Sequence, residues 1–541
     1  MEYKLTKEII SNFTYEIIER IVRFVVHLEE IELQFYRDNE NKKALINNYK
    51  EVLYQFLAVI LLEYNKSVVK ITNESYYSFF ELTKDILLKI NKLHTENLQI
   101  LPRPSEPVEL TRFERVIHKQ IVQLTDKRKK RDITISLNER IGEEAQGDYL
   151  FDYKKEVSEL FKNHNIEISN NIDNEQKKNN YLNDNGKLFI TISRIDASNT
   201  FRWPSLIHEM CHSLFIEVKF KRTIENDFLD YIGGDRATIF NGYFNQEDNS
   251  EKSKLFRWLE ECWCDLFACI LIGPSFYFSQ FLAFINIEYS VSPTHPPHVF
   301  RLDLIESIIR HRFPILHKDL LGGKYLANCE SLNGFLWSEK ENSFMEKTPL
   351  TSIYNAFNSF FTSHFFSIEK EDGVAQLRNN PRISKSLEGL VNKYVRIHPQ
   401  VITYLSDRLK QELPIPSIKI KNYKNTYEEL PTYVQEIFLA SWLSRCDGLI
   451  PKVIKLISKY EQSYIINNIE KCYGEIKKTI LRHDQAVLKS IQVSEWFDFL
   501  IKEKRRPKNI TIFNNQDKSE IKISGNINFS PPLDNFYSKI S

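Results

Sequence analysis

His208 and His212 stand four residues apart and bracket Glu209 in the run Trp203-Pro-Ser-Leu-Ile-His-Glu-Met-Cys-His-Ser213, an HExxH pattern. On an α-helix, residues i and i+4 share a face, so both imidazoles can reach one ion. Zinc takes nitrogen ligands at about 2.0–2.1 Å, and a rigid i,i+4 pair supplies two without strain. Glu209 is turned by about 100° from His208. That sets its carboxylate beside the ion, where it can take a proton from an activated water. With thirteen histidines in the chain, a chance HExxH has a probability on the order of a few hundredths. The downstream context therefore carries weight.

That context is the run Arg257-Trp-Leu-Glu-Glu-Cys-Trp-Cys-Asp-Leu-Phe-Ala-Cys269, in which Glu261 and Asp265 form an ExxxD pair. A carboxylate from a second helix completes a His₂Glu set and leaves one position open for water or substrate, as a catalytic zinc requires. Asp265, one turn on, is placed to accept a hydrogen bond from a ligand imidazole and fix its tautomer. Glu260 is the rival third ligand. Its i+4 neighbour is Cys264, a poor hydrogen-bond acceptor, so the spacing favours Glu261. Cys211, Cys262, Cys264 and Cys269 crowd the same two segments, and packing is their expected role.

HExxH followed by ExxxD on a later helix resembles the signature of the gluzincin metallopeptidases. Thr294-His-Pro-Pro-His-Val-Phe-Arg301 is similar to the HPxxxxR element of the HtpX and CAAX-prenyl type endopeptidases. The resemblance spans roughly 187 to 305. It implies zinc held by His208, His212 and Glu261, with Glu209 as general base and acid. It also implies that the strand at Lys187 to Ile195 is an edge that pairs with an extended peptide. The gap from His212 to Glu261 is wider than in thermolysin, and the membrane peptidases carry spanning helices that this sequence lacks. For the donor that stabilises the oxyanion, His295 and His298 are the candidates, with Tyr231 and Tyr243 as alternatives. Arg301 is expected to pair with a carboxylate such as Asp303 or Asp265.

The elements that must position these residues are mostly helical. Ile9, Ile10, Phe13, Ile17, Ile18, Ile21 and Val22 recur at three- and four-residue steps, as do Val52, Leu53, Phe56, Leu57 and Ile60, and both patterns predict amphipathic helices. Helices are expected from about Pro204 to Val218, Lys254 to Leu271 and up to about Arg312. Lys221 to Ser253 reads as an insertion turning at Gly233-Gly234-Asp235. Lys187 to Ile195 and Asp132 to Leu137 have the β-branched character of strands, and Asn509 to Phe513 with Glu520 to Ile523 look like a terminal hairpin. The fold class expected is mainly α, α+β: a zincin-like catalytic core with a small mixed β-sheet at 132–330. A helical N-terminal domain (1–131) and a helical C-terminal domain (331–508) flank it, with an extended tail at 509–541.

Composition narrows the function. The net charge is +1, so no global field points to nucleic acid, and the basic runs Lys127 to Arg131 and Lys502 to Lys508 read as solvated. Seven cysteines scattered over 541 residues make no disulfide framework, and the N-terminus lacks a signal-like apolar core; a reducing, cytoplasmic compartment follows. Leu266 to Ile287 runs uncharged and is long enough to cross a bilayer. Gly273-Pro274 interrupts it, so two buried helices meeting there are expected instead. Taken together, these features predict a zinc-dependent endopeptidase, a regulated intracellular protease of regulatory or defence type. Its partners would be a protein or peptide substrate and a regulatory protein bound through the helical flanks. The alternatives are an interaction scaffold with a structural or degenerate zinc site, and a metallohydrolase acting on a non-peptide bond.

Overall fold

The computed structural model describes residues 6–37, 39–69, 73–97, 199–217, 223–244, 254–286, 295–329, 332, 350–365, 399–415 and 432–500. It also describes strand segments at 133–138, 144–146, 188–193, 418–421, 427–430, 509–513 and 520–524. The basic runs at 127–131 and 502–508 and the Asn-rich stretch at 163–186 lie outside these residues.

Helix α1 (Lys7–Phe35) starts where the Thr6 hydroxyl accepts the Ile9 amide at 3.2 Å. Helix α2 (Glu40–Ser67) starts where Asn39 Oδ1 accepts the Lys42 amide at 3.1 Å. Such caps satisfy amide groups that the first helical turn leaves unpaired. With α3 (Asn73–Asn97), the two form a packed trio. The sequence pattern predicts an amphipathic α1, yet Glu19, Arg20, Arg23 and His27 are buried along with its apolar stripe. The reason is that C-terminal helices cover its polar face and bring charged partners to it.

The middle of the chain builds the site. A short 3₁₀ turn, Trp203–Ser205, leads into α4 (Leu206–Glu217). Ahead of the turn, Asn199 Oδ1 accepts the Phe201 amide at 3.2 Å, and the Ser205 amide donates to Ser279 Oγ at 3.0 Å. The insertion folds as α5 (Thr223–Ile232) and α6 (Gly234–Phe244), with Gly233 between them at φ +75°. This left-handed conformation is one that glycine adopts freely. Helix α7 (Lys254–Ile272) is buried almost throughout, its carboxylates Glu260, Glu261 and Asp265 included, so those groups need partners inside the protein. It ends at Gly273, whose φ of +82° makes a left-handed stop before Pro274. Helix α8 (Ser275–Asn286) then turns back, and α9 (His298–Arg312) follows. Helix α7 packs against α4, α8 and α9. The uncharged run is thus two helices, and no helix among the described residues is long and apolar enough to cross a membrane.

Helix α10 (Leu350–Phe365) packs on α5 and α9. The C-terminal helices are α11 (Pro399–Lys410), α12 (Val434–Ser444), α13 (Ile450–Ile457), α14 (Gln462–Asn467) and α15 (Ile469–Leu500), with a π turn at Arg445–Leu449 between α12 and α13. Helix α12 reaches α8, while α13 and α15 reach α1.

The expectation of an α+β zincin core folded round a mixed sheet is corrected by this architecture. The described residues are predominantly helical, and His208, Glu209, His212 and Glu261 all come from helices α4 and α7, with the short strands Glu144–Gln146 and Leu188–Ser193 packed on α4. Among the described residues, strand backbone occurs in short ribbons: β1 (Ile133–Asn138), β2 (Glu144–Gln146) and β3 (Leu188–Ser193), and then β4 (Ile418–Lys421), β5 (Tyr427–Leu430), β6 (Asn509–Phe513) and β7 (Glu520–Ser524). Runs of three to six residues set far apart in the chain give too little apolar face to form a core layer, whereas α7 alone buries nearly its whole length. A second correction concerns β3. It is the middle strand of the order β1-β3-β2, parallel to β1 along its length and antiparallel to β2 from Phe189 to Thr191. It is therefore not the free edge expected for pairing with an extended peptide.

Candidate metal centre

Helices α4 and α7 lie side by side and bring three ligand-type side chains to one point. His208 Nε2 is 3.1 Å from His212 Nε2. Glu261 places Oε2 3.2 Å from His208 Nε2 and Oε1 3.4 Å from His212 Nε2. Ligands about 2.0–2.1 Å from a tetrahedral ion lie about 3.3–3.4 Å from one another, so these separations suit a small divalent cation at their centre. Glu261 Oε2 is buried without a hydrogen bond of good geometry and is faced by His208 Nε2 at 3.2 Å and Arg301 Nη1 at 3.3 Å. A metal ion would take the place of the His208 proton beside it.

His208, Glu209 and His212 form a group that could hold a metal ion, with ligand atoms within 4.8 Å of one another. This trio includes Glu209 rather than Glu261. The tighter separations involve Glu261, and they are those of neighbouring ligands on one ion, so we take Glu261 as the better-placed third donor. Glu209 is then a carboxylate beside the centre, as its rotation around the helix requires.

The next layer is ordered by charge. Asp265 is fully buried and accepts from Arg301 through Nε–Oδ2 at 2.6 Å and Nη2–Oδ1 at 2.8 Å, a bidentate, charge-assisted pair. Its Oδ1 also lies 2.8 Å from His208 Nδ1. Arg301 reaches the pair from α9 and packs its guanidinium over Phe284, 5.0 Å from the ring centre. Glu260, the sequence-level rival for the metal, instead sits with Oε1 3.2 Å from His212 Nδ1.

These contacts set the protonation states. Burial opposes a charge on His208, yet the Asp265 carboxylate and then Glu261 raise its pKa to about 10. His212 is also raised: burial opposes its charge, while Glu261 and Glu260 favour it. Burial likewise opposes ionisation of Glu261 and Asp265, but Arg301 and the imidazoles hold both carboxyls below their usual range. The pocket thus stabilises positive charge at the two Nε2 atoms, whether a proton or a metal ion supplies it.

The two oxyanion candidates part company. His295 is half exposed, and its Nε2 lies 3.4 Å from Glu261 Oε1 at the rim of the centre. Burial, despite Glu261 beside it, lowers its pKa, so its ring is neutral near pH 7. His298 is buried with its ring stacked on Phe284 at 4.1 Å, and burial pushes its pKa down to about 3. Of the alternatives, Tyr231 is exposed and its ring meets Phe360. The four cysteines nearby are buried, with thiols pushed up by that burial, which leaves them as packing groups. What spacing alone missed is the place of Glu260. The signal was its position next to Glu261, about 100° further round the same helix and within reach of the second histidine.

No family model, curated protein or solved structure matches this chain.

Proposed function

We propose that the protein is a zinc-dependent endopeptidase, gluzincin-like in its ligand set, that hydrolyses a peptide bond in a protein or peptide substrate. The observation that carries this reading is the convergence of His208 Nε2, His212 Nε2 and the Glu261 carboxylate at 3.1–3.4 Å with Glu209 alongside. His₂Glu is a zinc-type donor set that leaves a coordination position open. A zinc ion held there would act as a Lewis acid, polarising the scissile carbonyl and acidifying water. Glu209 takes the proton from the attacking water and passes it to the leaving amine. His295, neutral and at the rim, donates its N–H to the oxygen on which negative charge develops. His298 is left out of this chemistry because its ring is committed to Phe284. Arg301, through Asp265, keeps His208 in the tautomer that presents Nε2. Seven cysteines, all free, suit a reducing, cytoplasmic setting.

The carboxylate of Glu209 separates this reading from a non-catalytic zinc scaffold, because a structural site has no use for a free base. Glu209→Gln should keep one equivalent of zinc and lower peptide turnover by about 10²–10⁴-fold, the range for general acid–base groups. Metal analysis of purified protein, run beside turnover of a peptide library, reads both quantities. A Glu209→Gln protein that keeps its zinc and its full biological effect would establish the scaffold instead.

A further inference from the structure

Each imidazole of the centre turns one nitrogen inward and the other toward a carboxylate of α7. For His208 that carboxylate is Asp265. For His212 it is Glu260, whose Oε1 lies 3.2 Å from Nδ1 while Nε2 of the same ring faces His208 and Glu261. The geometry points to Glu260 as the positioning residue of His212, a role that rests on the metal-site reading above and that the ExxxD pattern does not contain.

The physical need is greater at His212 than at its neighbour. The His208 side chain is 5% exposed and stacks against Phe276, whereas that of His212 is 21% exposed. A ring open on one side can turn about its last torsion and exchange its two nitrogens, and terminal torsions of this kind are broad and roughly two-fold. A carboxylate on Nδ1 ends that freedom. It accepts a hydrogen bond from the Nδ1–H, fixes the Nε2 lone pair toward the ion and raises the basicity of the ring. Successive residues of one helix thereby divide the work. Glu261 points at the centre, and Glu260, about 100° round the helix, reaches the outer edge of His212. Glu260 is itself buried, and a buried carboxylate facing an imidazole N–H has found the partner it needs.

The test measures zinc affinity of the full chain by competition with a chromophoric chelator at one fixed pH, and the absorption spectrum of the cobalt-loaded protein. Glu260→Ala should weaken zinc about 10–100-fold, the loss typical of an orienting partner, with the intensity of the cobalt bands still that of the wild-type coordination number. Glu260→Gln retains an acceptor oxygen and should recover most of the affinity. Glu260→Asp keeps the charge but withdraws it by one methylene, and should weaken zinc as Ala does; it serves if the alanine protein fails to fold. Wild-type affinity in both Glu260→Ala and Glu260→Asp would overturn the assignment. So would a far larger loss with cobalt bands reporting one ligand fewer, because Glu260 would then bind the ion itself. A wild-type chain that binds neither zinc nor cobalt would sink the metal-centre reading as well, and is told apart by its failure before any substitution.

Discussion

Around Arg445, three carboxylates share two guanidiniums; around His208, four carboxylates crowd two imidazoles and a single guanidinium meets them. At the first place, Arg445 Nη2 donates to Glu16 at 2.6 Å and to Glu19 at 2.7 Å. Arg23 Nη2 donates to Glu19 at 2.5 Å and to Asp484 at 2.9 Å. The surplus acid is held at a cost: burial raises Asp484 to about 6 and also raises Glu16. The Arg445 guanidinium lies about 5 Å from the rings of Tyr15, Phe201 and Trp442, which adds cation–π attraction. At the second place, Glu209, Glu260, Glu261 and Asp265 surround the histidines, and Arg301 contacts Asp265 and Glu261. Those two carboxyls are held ionised rather than neutral. One network pairs its buried carboxylates with two guanidiniums of its own. The other stays short of positive charge at a point the size of an ion. The comparison separates a buried cluster that holds helices together from one prepared for a cation.

If that separation is right, substitutions at the two places should give opposite signatures. The largest effect is expected at His208. His208→Ala removes one of three converging donors, and zinc affinity should fall by more than the 10–100-fold expected of an orienting partner. The metal-free protein should lose some stability as well, less than Arg445→Ala loses, because Asp265 and Glu261 give up a buried imidazolium but keep Arg301. Equilibrium dialysis against zinc, with thermal unfolding in chelator, reads both. Next in size is Arg445→Ala, which leaves Glu16 and Glu19 buried without their shared cation. Breaking one side of a buried pair costs about 3–5 kcal/mol, while the zinc stoichiometry of the folded fraction should stay at the wild-type value. Chemical denaturation with metal analysis checks this. An Arg445→Ala protein of wild-type stability would break the comparison from the structural side.

The same contrast shows what could be read from sequence. His208, Glu209, His212 and Glu261 announce themselves by type and spacing, because the i,i+4 rule fixes faces within one helix. Gly273-Pro274 likewise marks the end of α7 by residue type alone. Glu260 did not announce its role, since its partner comes from another helix at an unknown rotation. Helix α1 was legible as a helix but not as a buried one. Glu19 and Arg23 look like a solvated stripe until Asp484, 461 residues from Arg23, and Arg445, 426 from Glu19, arrive. The mixed-sheet core was over-read for a related reason. A six-residue run rich in β-branched side chains looks alike in a core strand and a short ribbon, and whether β3 is an edge or the middle of its ribbon depends on partners remote in sequence.

The smallest expected effect sharpens the comparison most, because it tests whether the Arg445 network balances its own protons. His483 stacks on Phe201, accepts or donates a 2.7 Å hydrogen bond with Ser444 Oγ, and is pushed by burial and then Arg445 down to about 3. Between its unfolded pKa of about 6.5 and that folded value, the unfolded chain binds the extra proton. Its contribution to stability is therefore present above pH 6.5 and lost as pH falls toward 3. Asp484 runs the other way. Its folded pKa of about 6 lies above the ordinary value of 3.8, so its contribution is full below 3.8 and lost as pH rises through 6. Each slope approaches about 1.4 kcal/mol per pH unit, and across pH 4–6 the two nearly cancel. Relative to the wild type, His483→Asn should gain stability as pH falls from 6 to 4, and Asp484→Asn should lose it, each by roughly 2–3 kcal/mol. Urea unfolding at pH 6, 5 and 4 measures both differences. Parallel rather than opposite slopes would mean that the two groups do not titrate as a balanced pair, and that the network closes its charge by some other route than a retained proton.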